Sequence, residues 1–282
     1  MKVIDLQSQM TTKKGALFPE SMKGFFEMTF KTKIPYYQTE EEMMQYFREN
    51  EVKGIFLVPT PSSFSEMEEI GDYMAKLKSG YPDVVYGSWA PYNPDLDMDN
   101  YLDELAKYID KTGSFGIFYY GASTGVPAND EKLLPIYKLC CDKKVPIKIS
   151  VGHTAFGAGT PGGMGVRLAT ERPIPNIDDV AAQFPELTII GAHCPWPFHS
   201  EMISVLVHKA NVYNEVHGWS PKYFPEELKK ETNSRLKTKI LFGSDYPFFT
   251  FERLVKDWEA ECYKPEVLEN VFYKNAEKIF GI

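Results

Sequence analysis

The sequence predicts a single (β/α)8 barrel, and three observations carry that expectation. Short continuous apolar runs recur eight times, as parallel strands covered on both faces require. A helix-like stretch follows each run, the alternation that builds a parallel α/β sheet. The chain has 282 residues and no composition break, an ordinary length for one such barrel, so 1–282 is read as one domain.

The strands are expected at Val3–Leu6, Lys53–Pro59, Val84–Ala90, Phe115–Gly121, Val145–Val151, Leu187–Ala192, Asn211–Val216 and Lys239–Ser244. After the first comes a long aromatic loop carrying Phe18, Phe25, Phe26, Phe30, Tyr36 and Tyr37, too long for a plain connection. Thr39 opens a helix to about Asn50, with Glu41 and Glu42 in its first turn to complement the helix dipole. Met67, Ile70, Met74 and Leu77 mark one face of a helix from Ser63 to Ser79. Further helices are expected over Asp97–Lys111, Asn129–Lys143, Asn176–Phe184, Ser200–Lys209 and Pro225–Leu236, with two more closing the chain. A Gly-rich loop, Gly152 to about Pro175, follows the fifth strand.

A net charge of -8 and the absence of a basic stripe argue against nucleic acid or an anionic membrane as partner. No apolar run approaches the ~20 residues that cross a bilayer. Cys140, Cys141, Cys194 and Cys262 form no CxxC pair and read as free thiols in a reducing compartment. The N-terminal residues read as a strand rather than a signal peptide, so a cytoplasmic location is expected.

A barrel keeps its chemistry at the C-terminal ends of its strands. Side chains two apart share a face, which predicts that Asp5, Gln7 and Gln9 point together, and Lys148 with Ser150. His193 ends the sixth strand, His217 follows the seventh, and Asp245 follows the eighth. Lys148, on an inward position, is expected to pair with a carboxylate such as Asp5. Arg167 and Arg172 are candidates to clamp a substrate carboxylate. The glycines between 152 and 165 suit a substrate lid rather than a phosphate loop, because no GKS/T ending follows. Phe25, Phe26, Tyr36, Tyr37, Tyr119, Tyr120, Trp196 and Trp219 are candidates for an aromatic pocket.

These strand ends resemble the amidohydrolase superfamily, in its amidohydrolase-2 branch of aminocarboxymuconate-semialdehyde and resorcylate decarboxylases. The resemblance lies in Phe184–His193, Asn211–Tyr213, Leu241–Pro247 and Asn275–Gly281. It implies a TIM barrel, Asp245 as the catalytic aspartate, and His193 as an acid or base that touches substrate. The branch ends its first strand Asp-x-His-x-His, two metal ligands, and has a third histidine on the fifth strand. Gln7, Gln9 and Ser150 occupy those positions here. Imidazole binds zinc-like ions strongly and a neutral amide oxygen does not. No tightly bound metal or other cofactor is therefore expected. Any metal would be a weakly held divalent ion such as zinc, at Asp245, Gln7, Gln9 and His193, with His153 as a substitute ligand.

The expected function is a hydrolase acting on a small carboxylated substrate, a lactone, ester or C–N bond. Asp245 serves as general base and His193 as acid/base or oxyanion stabiliser. Gln7, Gln9, Ser150, His153, Arg167, Arg172, Trp196 and His217 are the candidate substrate-binding residues. Two alternatives stand beside it: decarboxylation of a small aromatic or muconate-like acid, and a catalytically silent barrel that binds a small acid or a partner. A homodimer is compatible with the resemblance.

Overall fold

The computed structural model describes residues 2–92 and 98–282. Eight parallel strands pair in sequence order: β1 (Val3–Gln9), β2 (Val52–Leu57), β3 (Val85–Ala90), β4 (Gly116–Tyr119), β5 (Ile147–Ser150), β6 (Ile189–Ala192), β7 (Val212–Glu215) and β8 (Ile240–Leu241). The last strand returns to the first. Leu6 N donates to Phe242 O at 3.2 Å, Asp245 N to Gln7 O at 2.9 Å, and Gln9 N to Tyr246 O at 2.8 Å. The expected (β/α)8 barrel is present.

Helices wrap the sheet: α1 (Lys23–Phe30), α2 (Glu40–Glu49), α3 (Phe64–Gly80), α4 (Met98–Thr112), α5 (Gly121–Thr124) and α6 (Leu134–Lys143) in the first half. Then come α7 (Pro173–Gln183), α8 (His199–His208), α9 (Glu226–Thr232), α10 (Phe251–Ala260), α11 (Pro265–Glu269) and α12 (Asn275–Phe280). Thr39 closes a capping box with Glu42, taking a bond from its amide at 3.2 Å and receiving its carboxylate on the Thr39 amide at 2.8 Å. Ser63 caps α3 by accepting from Glu66 N, while the Glu66 carboxylate takes the Ser62 amide at 2.7 Å. Both side-chain caps satisfy amides that would otherwise be orphaned at a helix start. Asp97, the expected start of α4, lies outside the described residues. The aromatic loop after β1 holds α1, a helix that no periodicity announced, because none of its residues is buried.

Two apolar layers hold the barrel. The outer one packs Phe56, Ile117, Ile149, Ile189, Val212 and Phe242 against the helices. The inner one fills the barrel floor with Ile4, Leu6, Ile55, Trp89, Ile190 and Leu241. Buried aliphatic side chains of this kind stabilise by roughly 1.5–3 kcal/mol each relative to exposure.

The strict alternation expected along the first strand fails at one place. Asp5 faces Gly54 and Ser8 faces Phe56, so Leu6 and Gln7 together oppose the single residue Ile55. This bulge shifts the parity of the strand. Gln7 and Gln9 look into the barrel, and Asp5 looks the other way. There it accepts hydrogen bonds from Ser8 Oγ, Ser244 Oγ, Ser244 N and Gln7 N. The bulge also frees the Leu6 carbonyl, which receives Trp89 Nε1 at 2.8 Å and Lys148 Nζ at 2.7 Å.

Candidate active site

Asp5 is fully buried, and two of its four donors, Ser244 N and Oγ, tie β1 to the segment after β8. Burial pushes its pKa up, and the hydrogen bonds work against that shift. It is a structural carboxylate that fixes where Gln9 and Asp245 meet. Asp245 follows at φ 60°, a left-handed conformation uncommon outside glycine. The turn holds it there through Phe248 N, which donates to the Asp245 carbonyl at 2.9 Å. Gln9 Nε2 donates to Asp245 Oδ1 at 3.0 Å. Burial raises the Asp245 pKa to about 7. Gln9 opposes the rise, and the nearby carboxylates of Glu215 and Asp5 add to it.

His193 is the second strand-end residue with a positive φ, 87°. Asn214 Nδ2 clamps its carbonyl at 3.0 Å and the Gly191 carbonyl at 2.9 Å, so β7 fixes the backbone at the tip of β6. Each such conformation costs on the order of 1 kcal/mol and clusters at functional sites. Burial holds the His193 imidazole well below its ordinary pKa, and His217 beside it pushes the same way. The two rings lie 4.0 Å apart between centroids.

The centre of the barrel holds a network that sequence reasoning reached only in part. Lys148 does not pair with Asp5, which the bulge turns away. Its ammonium bonds Glu215 Oε2 at 2.9 Å, Gln7 Oε1 and the Leu6 carbonyl, and sits over the Trp89 and Phe118 rings. Both partners are completely buried. Burial lowers the lysine pKa and raises that of the glutamate, and their contact opposes both shifts. Glu215 Oε2 also meets His217 Nδ1 at 2.7 Å. Gly243 makes room for this carboxylate: a Cβ there would overlap Glu215 and lie 3.0 Å from Gln7 Cβ. Glu215 is two residues before His217 on an inward-facing register, and that spacing was the available signal for it.

On the β5 side, Ser150 Oγ accepts from Gly121 N at 3.1 Å. Beside it lies Glu171, which nothing in the sequence marked. It is 2% exposed, and neither carboxyl oxygen makes a well-formed hydrogen bond among the described residues. Burial raises its pKa to about 7, while Ser150 and the Ala122 amide pull it down. Tyr120 OH bonds Thr154 Oγ1, and the Tyr120 ring lies 6.4 Å from His193. The Gly-rich segment is pinned at both ends. Gly152 N donates to Glu171 O at 2.9 Å and His153 N to Trp196 O at 2.7 Å. Gly152 has φ 81°, and a Cβ there would come 2.8 Å from the Trp196 carbonyl, so only glycine fits.

The expected aromatic pocket divides. Trp196 stands 5.9 Å from Trp219 and 5.4 Å from His153, flanking the β5–β7 strand ends. Phe25, Phe26 and Tyr36 instead join Phe18, Phe30 and Phe248 in a separate cluster over the β1–β8 side. Tyr119 packs into the outer layer. Arg172 is not a substrate clamp: Glu201 holds its guanidinium by bonds of 2.6, 2.9 and 3.0 Å. Arg167 is exposed on the Gly-rich segment.

The positions expected for metal ligands are already engaged. Gln7 takes the Lys148 ammonium, Gln9 donates to Asp245, and Ser150 takes the Gly121 amide. Among the described residues, no three His, Cys, Asp or Glu side chains are grouped to hold a metal ion. An ammonium bonded to Gln7 repels a divalent ion at that point. The donor set does not fit the metal that the resemblance implies.

The fold is a TIM barrel that gathers Asp245, His193, Glu215 and His217 at or just past the C-terminal ends of its strands. The chain belongs to the amidohydrolase family, whose model (Amidohydro_2, described as amidohydrolase) matches residues 65–282. No curated protein matches it. Among solved structures it is similar in fold to an uncharacterised TIM-barrel protein of Bordetella bronchiseptica, with 19% identity, 100% of this chain and 99% of that one covered, and a TM-score of 0.77. A 5-carboxyvanillate decarboxylase of Novosphingobium aromaticivorans, complexed with manganese and 4-hydroxy-3-methoxy-5-nitrobenzoic acid, gives 16%, 100%, 96% and 0.73. A 2,6-dihydroxybenzoate decarboxylase from Rhizobium gives 12%, 100%, 99% and 0.71. Among the described residues, no helix is long and apolar enough to cross a membrane.

Proposed function

We propose that the barrel mouth hydrolyses a small lactone, ester or related C–N substrate by general acid/base catalysis, without a tightly held metal. The observation that carries this reading is Asp245, partly buried at the tip of the eighth strand, held by Gln9 and poised near pH 7. A carboxyl with a pKa near the working pH both takes and returns protons well. Asp245 removes a proton from water, the water oxygen bonds to the carbonyl carbon, and neutral His193 donates to the developing oxyanion. The tetrahedral intermediate then expels its leaving oxygen or nitrogen, which takes the proton back from Asp245. Of the two arginines considered as clamps for a substrate carboxylate, Arg167 is the one that Glu201 leaves available.

Decarboxylation is the second reading, favoured by the decarboxylases among the fold relatives. One of them carries manganese, and the donors here do not fit that ion. We therefore rank it below hydrolysis. A panel of lactones, esters and aromatic acids, assayed with wild type and Asp245→Asn, tests the choice. Loss of roughly 10²–10⁴-fold in hydrolysis by the variant is expected. Carbon dioxide release from an aromatic acid, or about one manganese or zinc per chain by elemental analysis, overturns the proposal.

A further inference from the structure

His217 is 1% exposed, and its Nε2 has no hydrogen-bond partner among the described residues. A buried ring nitrogen without a partner costs about 1–3 kcal/mol, so native structures keep one only where something else supplies the bond. The other nitrogen is fixed. Nδ1 lies 2.7 Å from Glu215 Oε2, and an ionised carboxylate can only accept, so Nδ1 carries the proton. Nε2 therefore presents a lone pair. The same Glu215 oxygen is anchored by Lys148 Nζ at 2.9 Å, and Lys148 is itself held by the Leu6 carbonyl and Gln7. Gly243 leaves the space this carboxylate fills. Lysine, glutamate and histidine thus form a rigid series that fixes one tautomer and one ring orientation. The ring centroid lies 4.0 Å from that of His193, tilted by 45°.

We infer that Glu215 and His217 form an acid/base dyad in which His217 Nε2 accepts the proton of a hydroxyl group, from water or from the ligand, at the β6–β7 side of the mouth. In that step the O–H bond breaks and an Nε2–H bond forms. The O–H electron pair stays on that oxygen, the imidazolium charge is balanced by Glu215, and Nε2 returns the proton to the same oxygen. Glu215 and Lys148 are positioning residues that act through His217. The inference rests on the mouth being the active site, but it assigns a second base where the proposed function uses Asp245 alone.

The test uses the full chain labelled with ¹⁵N-histidine, which carries five histidines, with His217 assigned through His217→Gln. Nitrogen–proton correlation spectra should place the His217 proton on Nδ1, with a strongly downfield Nδ1 proton that moves upfield in Glu215→Gln. A proton on Nε2, or a tautomer mixture in folded wild type, overturns the dyad. With 4-nitrophenyl acetate and dihydrocoumarin as probes, His217→Gln should lose at least about 100-fold in kcat with KM changed less than about threefold. Wild-type kcat within threefold in that variant, at unchanged melting temperature, also overturns it. The tautomer spectrum needs no turnover, so it separates failure of the dyad from failure of the Asp245 reading, which Asp245→Asn probes independently.

Discussion

The two sides of the barrel mouth differ in how their polar groups are used. On the β8–β1 side the hydrogen-bonding capacity is spent internally. Asp5 takes four donors, Gln7 takes Lys148, and Gln9 gives to Asp245. On the β5–β7 side, the Glu171 carboxyl oxygens, Glu215 Oε1, His217 Nε2 and His153 Nδ1 are buried without a well-formed hydrogen bond among the described residues. The end of β1 is where the family resemblance implies two metal-ligating histidines. With Gln7 and Gln9 there, the protein has closed that side with its own hydrogen bonds. Unmet polar capacity, the mark of a ligand site, has moved around the barrel to the histidines.

The largest break in this comparison comes from the ion pair between the two sides. Lys148→Met should cost about 3–5 kcal/mol, because it leaves the Glu215 carboxylate buried and uncompensated. Urea unfolding checks this, and Lys148→Met with Glu215→Leu should recover most of the loss, since a matched apolar pair replaces both charges. A double variant no more stable than the single one would mean that the pair is not the cause.

A smaller effect tests the closed side. Asp5→Asn keeps the shape but weakens charge-assisted bonds from two hydroxyls and two amides, at about 1.5–3 kcal/mol. The midpoint of urea unfolding should fall by that amount, and the His217 nitrogen spectrum should stay unchanged. A spectrum that moves would show that the two sides are coupled rather than separate.

A further effect is one of pH. Asp245 has its folded pKa raised to about 7, above the value near 3.8 expected when unfolded. A raised carboxyl favours the folded state when protonated. Its contribution is fully present below pH 3.8 and is lost as pH rises through about 7. Glu171 behaves in the same sense, with a folded pKa of about 7. Asp245→Asn should therefore flatten the decline of stability between pH 4 and 8, and Glu171→Gln should flatten it again from the other side of the mouth. Identical slopes in wild type and Asp245→Asn would remove Asp245 from the set of titrating groups.

Much of the barrel was legible because strand and helix signals are local. Apolar runs, the Thr39 and Ser63 caps and the Gly-Ser-Asp turn need only neighbouring residues to be read. The site was legible where it sits at strand ends: Asp245, His193, Gln9 and His217 are all at the mouth. What failed was whatever depended on register or distance. One extra residue in β1 reversed Asp5 and passed Lys148 to Glu215, and a bulge has no signature in a seven-residue buried strand. Arg172 looked free in sequence, but Glu201 is 29 residues away and is brought beside it only by α8.

Residue types along the chain were enough to read the fold class, the strand-end carboxylate, and Gln7, Gln9 and Ser150 at positions where the resemblance implies histidines. The tertiary structure decided which of those groups remain available. It turned Asp5 into a clamp, committed the glutamines to Lys148 and Asp245, and left the His217 nitrogen open. The physical reason is that a hydrogen bond is a pairing across space. A sequence states what each residue can donate or accept, and only the packed barrel states which partner it has already found.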